Sequence, residues 1–343
     1  MSAALEDEGP PSDLEVIVAR LGDALRRRFG GASDIAEVDV ATVGGINRTV
    51  LFDHVDGAAR RRLVLRQETY TTEFSPFLAP EIQWPLLQVC ARHGLPVPEP
   101  VFALTPEDRL GRGYVVGFVA GETLPKRLLT APEFAPARAV FTRQAGETLA
   151  RLHAIDPAEV PMLNEVPDSI DALGAQRAAY EIYGEPHPVL EYAFRWLERH
   201  QPPAAPKVFI HGDFRTGNML VDPHKGLMAL LDWECSRLSA PEDELGWYCS
   251  RCWRFGFNDR EAGGFDTRDA MIAAYEAAGG RRIDREALRW WEIFAHLRWA
   301  LYNIMQVWGH VKCGRRAPAF ALFGRNTAYI EYDLLMTLMG RYA

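Results

Sequence analysis

The sequence predicts an α+β protein of two lobes: a small, β-rich N-terminal lobe over residues 1–119 and a larger, mainly helical C-terminal lobe over 120–343. Three observations predict it. A chain of 343 residues is long enough to divide into two compact parts. Near the N-terminus, three strand-length runs follow one another after a single amphipathic helix. From Pro132 onward, apolar residues recur at helical spacing, and one short hairpin interrupts them.

Leu14, Ile17, Val18, Leu21 and Leu25 mark a helix from Asp13 to Phe29, stopped by Gly30-Gly31. Strands are expected over Ile35 to Val43, Thr49 to Val55 and Arg62 to Arg66, with Asp56-Gly57 turning the second into the third. Gly44, Gly45 and Asn47 lie between the first two strands. Glycines in such a loop let backbone N–H groups approach phosphate oxygens, although the same segment also reads as a plain hairpin turn. The third strand ends on Arg66, and Glu81 opens the next apolar-periodic segment. In nucleotide kinases a strand cation pairs with a helix glutamate to steady the nucleotide phosphates, and Arg66 and Glu81 are the candidates for that pair. Gly113 to Val119 reads as a buried strand leading to the hinge between lobes, where backbone groups suit an adenine edge. Beyond Pro132, Phe141, Ala145, Leu149 and Leu152 share one helical stripe. It ends at His153, which is expected to satisfy a buried carbonyl.

The segment His211-Gly212-Asp213-Phe214-Arg215-Thr216-Gly217-Asn218 has the form H-x-D-x-x-x-x-N. Met219–Val221 and Leu227–Leu231 are strand-length apolar runs separated by Asp222-Pro223-His224-Lys225-Gly226, a dense turn signal. If the two runs pair about His224, Asn218 faces Leu231 and lies next to Asp232. One hairpin then brings two hard oxygen ligands together, a donor set that suits Mg²⁺ completed by phosphate oxygens and water. Asp213, one loop turn earlier, is a base for an attacking hydroxyl. The pattern is that of a phosphoryl-transfer centre.

Composition narrows the partners. A net charge of −8 argues against nucleic acid. No apolar run is long enough to cross a membrane, and the acidic first residues carry no secretory signal. Five cysteines form no even framework, which suits a reducing cytoplasm. Cys249 and Cys252 are expected on one packed helix face rather than at a metal. Most of the tryptophans after residue 240, at helical spacing, are expected in the core.

Together these residues resemble the aminoglycoside-phosphotransferase-like kinases, which share the two-lobed fold of protein kinases. The resemblance runs from Val43 to the last helices. It takes in Gly44-Gly45-Ile46-Asn47-Arg48-Thr49, Val64-Leu65-Arg66, Val97-Pro98, Gly121, Leu149 to Asp156, the segment above, and Pro241 to Trp247. Val64-Leu65-Arg66 and Asp232-Trp233-Glu234 look most like the branch associated with acyl-CoA dehydrogenases, implicated in phosphorylating hydroxyacyl compounds. The resemblance implies ATP and Mg²⁺, Asp213 as catalytic base, Asn218 and Asp232 as metal ligands, Arg66 toward the nucleotide phosphates, and Arg215 steadying the γ-phosphate. Three positions depart from the branch: Ser239-Ala240-Pro241, Glu244 where an aspartate is usual, and Gly117 at the hinge. The first two fall where packing behind the metal loop would lie.

The expected acceptor is a small-molecule hydroxyl. Between Arg281 and Arg325 nine Lys/Arg face three acids, Asp284, Glu286 and Glu292. This local excess favours an anionic hydroxyacid or hydroxyacyl-CoA. The alternatives are an aminoglycoside, macrolide or amino-alcohol acceptor, and, as a different class, a nucleotide-binding pseudokinase, motivated by Arg66 where lysine is usual.

Overall fold

A computed structural model describes residues 10–41, 47–69, 75–313 and 318–342. The chain divides into two compact units, Met1–Ala120 and Gly121–Ala343.

In the first unit, helix α1 (Leu14–Phe29) precedes strands β1 (Ser33–Val40), β2 (Asn47–Asp56) and β3 (Ala59–Glu68). Helix α2 (Pro80–Arg92), β4 (Pro100–Ala103) and β5 (Gly113–Gly117) follow. The Asp13 carboxylate caps α1 by accepting from the Glu15 amide at 2.8 Å. The strands form one antiparallel sheet in the order β1-β2-β3-β5-β4. Alternation decides which face is buried: Val50 lies opposite Leu65 and Phe52 opposite Leu63. These four pack with Ile17, Leu21 and Leu25 of α1, which are spaced one helical turn apart. Each such burial stabilises by about 1.5–3 kcal/mol. Val64, Arg66 and Glu68 take the opposite face of β3. Strand β5 ends at Gly117, two residues earlier than its apolar run suggests, and Phe118 beyond it is exposed.

The second unit contains α3 (Pro125–Thr130), α4 (Ala135–His153), α5 (Pro167–Ile170), α6 (Ala172–Tyr183) and α7 (Pro188–Arg199). Four short strands follow, β6 (Val208–Ile210), β7 (Met219–Asp222), β8 (Gly226–Leu230) and β9 (Arg237–Ser239). Helices α8 (Pro241–Cys249), α9 (Arg268–Ala277), α10 (Arg285–Lys312) and α11 (Pro318–Leu338) complete it. Leu190, Ala193, Phe194 and Leu197 make one stripe along α7. They share a core with Ile293, Phe294, Leu297, Ala300, Leu301 and Ile304 of α10 and with Ile330 and Leu334 of α11. β6 pairs with β9, and β7 with β8. Among the described residues no helix is long and apolar enough to cross a membrane.

Two local expectations change. His153 shares a 2.9 Å hydrogen bond with the Tyr275 hydroxyl, not with a carbonyl. Cys249 ends α8, whereas Cys252 lies in the turn beyond it, because α8 stops at Ser250. The two thiols therefore do not share a helix face, and both are free.

Candidate active site

The hairpin pairs as its sequence predicts. Met219 lies opposite Leu230, and the Leu231 amide donates to the Asn218 carbonyl at 2.8 Å. Asn218 therefore faces Leu231 and adjoins Asp232. Asp232 has φ 60 and ψ 71, a left-handed conformation that aspartate tolerates better than most residues and that turns the chain sharply out of β8.

The Asp213 carboxylate accepts three side-chain donors. Asn218 Nδ2 lies 2.5 Å from Oδ2, Trp247 Nε1 2.9 Å from Oδ1, and Arg215 Nε 3.1 and 3.2 Å from the two oxygens. Asn218 Nδ2 also donates to the Asp213 carbonyl at 3.0 Å. With its amide hydrogens directed to Asp213, Asn218 presents Oδ1 as the atom for a cation. Arg215 lies over the Trp253 ring at 4.9 Å. Thr216 fixes the next turn by donating to the Gly263 carbonyl at 2.7 Å.

His211 sets the loop from behind. Its Nε2 lies 2.9 Å from the Leu231 carbonyl, and its Nδ1 lies 3.2 Å from the Asp213 amide. A carbonyl only accepts and an amide N–H only donates, so the ring is neutral with its hydrogen on Nε2. Burial pushes its pKa below the ordinary histidine range, against the opposing pull of Glu244 and Asp213. The ring packs on buried Trp233 at 4.5 Å.

Glu244, one of the departures from the branch pattern, accepts from the backbone amides of His211 and Gly212 at 2.5 and 2.9 Å. It lies in the first turn of α8, where the helix dipole also favours a carboxylate. The longer side chain thus meets the loop directly. Asp243 binds Arg237 through both oxygens at 2.8–3.0 Å and accepts from Arg298 at 3.0 Å. Arg298 also reaches Asp168 at 3.1 Å. Arg237, Arg298 and Asp243, all buried, and the part-buried Asp168 form a charge-balanced support, tied to the loop by Arg237 donating to the Cys235 carbonyl at 2.9 Å. Burial opposes ionisation of Asp243, but Arg237 and Arg298 hold its carboxyl below the usual range.

Two glycines make this packing possible. A Cβ on Gly246 would stand 2.9 Å from the Trp291 backbone, so glycine lets α8 press against α10. Gly212 has φ 80, and a Cβ there would lie 2.0 Å from the Cys235 oxygen. Gly212→Ala is expected to cost about 2–4 kcal/mol through the combined backbone and steric penalties, read as a lower denaturation midpoint. An unchanged midpoint would show that the loop relaxes freely.

The nucleotide-side expectations fare differently. Gly44 and Gly45 lie outside the described residues. Asn47 opens β2 opposite Glu68. The Arg66–Glu81 pair is corrected. Glu81 is held by Arg112, with Nε to Oε1 at 3.0 Å and Nη2 to Oε2 at 2.7 Å, and these bonds draw its pKa down. Arg112 lies where β3 ends, its carbonyl accepting from the Glu68 amide at 2.9 Å and its Nη1 reaching the Glu68 carboxylate at 3.1 Å. Its planar fork meets both oxygens of Glu81. Arg66 Nη1 donates to Thr49 Oγ1 at 3.1 Å.

The basic segment is also revised. Arg298 is buried in the Asp243 network, Arg285 pairs with Asp269, and Arg281 and Arg289 donate to the carbonyls of Pro206 and Thr337. Arg315 and Arg316 lie outside the described residues. Sequence reasoning missed Trp247, read only as core, and the supporting role of Arg237. A signal for Trp247 is its spacing: Glu244 and Trp247, at i and i+3, share the face of α8 that meets the loop.

Residues 38–291 match the phosphotransferase enzyme family (APH), and the chain belongs to that family. Over 200 residues, 56% of this chain, it is 26% identical to acyl-CoA dehydrogenase family member 10 of Mus musculus, the match covering 18% of that protein. The chain spans about a fifth of the length of the curated relatives it matches. Among solved structures it superposes on a protein of Ralstonia eutropha assigned as an aminoglycoside phosphotransferase. The TM-score is 0.69 at 20% identity, with 93% of this chain and 97% of that one covered. Choline kinase of Cryptosporidium parvum superposes with a TM-score of 0.62 at 14% identity, over 96% and 95% of the two chains. The fold is the protein-kinase-like fold of these phosphotransferases.

Proposed function

We propose that this protein transfers the γ-phosphoryl group of ATP to the hydroxyl of a small molecule, with Mg²⁺ required. The observation that carries the reading is the cluster in which Asn218 donates to Asp213 while the hairpin brings Asp232 beside Asn218. Asn218 Oδ1 and the Asp232 carboxylate are hard oxygen donors of the kind Mg²⁺ takes together with phosphate oxygens. Two such side-chain ligands, completed by nucleotide oxygens and water, are enough for Mg²⁺. When bound, the ion would neutralise charge on the phosphates.

Asp213 takes the proton from the acceptor hydroxyl as its oxygen bonds to the γ-phosphorus and the bond to the bridging oxygen of ADP breaks. Arg215, oriented by Asp213 and Trp253, directs its remaining N–H donors toward the transferred group. In the N-terminal unit, the Gly44-Gly45-Asn47 segment and Arg66 take the nucleotide phosphates, and Glu81 steadies that region through Arg112. A reducing cytoplasm suits the five free thiols.

For the acceptor we favour a hydroxyacid or hydroxyacyl thioester, on the likeness to acyl-CoA dehydrogenase family member 10. Among the basic residues of the C-terminal segment, Arg281, Arg285, Arg289 and Arg298 are engaged by protein partners. An amino alcohol or aminoglycoside is the second reading, favoured by the superposition on choline kinase and the Ralstonia protein.

ADP release measured with Mg²⁺ across hydroxyacids, hydroxyacyl-CoAs, aminoglycosides, macrolides and choline-like alcohols tests both levels. Asn218→Ala and Asp232→Ala are each expected to raise the Mg²⁺ needed for half-maximal turnover at least roughly tenfold. Unchanged metal dependence in both would remove them as ligands. An aminoglycoside as best acceptor would overturn the anionic assignment alone.

A further inference from the structure

Asp213 has three side-chain donors, and two of them have other work in the proposed reaction. Asn218 presents Oδ1 to the metal, and Arg215 turns toward the transferred group. Trp247 alone is free of such a task. Its indole is buried and wedged among Trp253, Trp299 and Tyr302, with ring centroids 5.2, 6.3 and 6.3 Å away. Close packing of this kind leaves a large ring a single orientation. Its Nε1–H points at Asp213 Oδ1 from 2.9 Å. An indole N–H is donor-only and cannot be deprotonated in water, so this contact keeps its polarity whatever else binds.

The backbone carrying Trp247 is equally fixed. One turn earlier on α8, Glu244 receives the amides of His211 and Gly212, and Gly246 allows α8 to press against α10. A single helical face thus holds the loop backbone through Glu244 and the loop carboxylate through Trp247.

We propose that Trp247 is a positioning residue: its indole N–H holds the Asp213 carboxylate in the rotamer that meets the acceptor hydroxyl. The proposal rests on the phosphotransferase reading and deepens it. Without the indole bond the carboxylate can swing with Arg215, and misplacement of a reacting group on the ångström scale is costly.

The test removes the indole N–H. Trp247→Phe is the simple variant. Incorporating 3-benzothienylalanine at 247, a tryptophan isostere with sulfur in place of N–H, avoids any loss of packing. Both are expected to lower kcat about 10- to 100-fold, the range for one hydrogen bond to a charged group, with KM for ATP unchanged. The isostere should also retain the wild-type melting temperature. In the folded enzyme labelled with ¹⁵N-tryptophan, the Trp247 indole N–H should resist exchange and lose that protection in Asp213→Ala. Wild-type kcat in the isostere, or unaltered indole protection in Asp213→Ala, would overturn the proposal while leaving the kinase reading intact. A wild-type enzyme that phosphorylates no acceptor would overturn both.

Discussion

Asp213→Ala is expected to lower turnover roughly 100- to 10,000-fold, the range for removing a positioned general base, with little change in melting temperature. The fold does not depend on this carboxylate as it does on those behind it. Asp213 is partly solvent-accessible, at 17% of its side-chain surface. Water can therefore replace it as acceptor for Trp247, Arg215 and Asn218, which limits the cost of leaving those donors unpaired. Asp213→Asn keeps the shape and one acceptor oxygen, and should be as inactive with still less disturbance. ADP release for each active acceptor, with thermal denaturation alongside, checks both statements. A variant that retains wild-type turnover would remove Asp213 from the reaction.

Asp243→Ala is expected to do the opposite, acting on stability first. It would strip the buried Arg237 of its Asp243 hydrogen bonds and leave the buried Arg298 bonded to Asp168. Breaking a buried pair by removing one partner costs about 3–5 kcal/mol. In a unit of this size that is roughly a 6–20 °C fall in melting temperature. The sign with pH follows from the direction of the shift. Asp243 ionises more readily in the fold than in the unfolded chain, because Arg237 and Arg298 outweigh the effect of burial. Its contribution is therefore complete above the ordinary aspartate range and fades as pH falls through the folded-state value. The gap between wild type and variant should be widest near neutrality and narrow on acidification. Removing the exposed Arg285–Asp269 pair should do little at any pH. A variant as stable as wild type at neutral pH would mean that the arginines find other partners or water.

Local chemistry made much of the molecule readable from its letters. The α1 stripe, its stop at Gly30 and the β2–β3 turn at Gly57 depend on residues a few positions apart, and they form as expected. The β7–β8 hairpin is similar: its turn residues close it at Asp222 and Gly226, and a one-residue shift between Leu220 and Val221 then puts Asn218 opposite Leu231. Long-range pairings were less legible. Glu81 takes Arg112, thirty-one positions away, because the end of β3 runs beside the turn before β5. Arg298 looked like one of a basic run, yet its partners Asp168 and Asp243 come from distant segments. Trp247 counted only as apolar bulk, since nothing in its neighbours says where one N–H will point. Composition reports charge and volume, whereas function here depends on which side chain faces which.

The central claim is that Asp213, Asn218 and Asp232 form one centre that moves a phosphoryl group onto a hydroxyl. Mass spectrometry of the acceptor panel after incubation with ATP and Mg²⁺, with wild-type enzyme and Asp213→Ala in parallel, tests it most directly. The account predicts an acceptor that gains one phosphoryl group with the wild-type enzyme and does not with Asp213→Ala. Equal phosphorylation by both proteins, or none by the wild type across the panel, would contradict it.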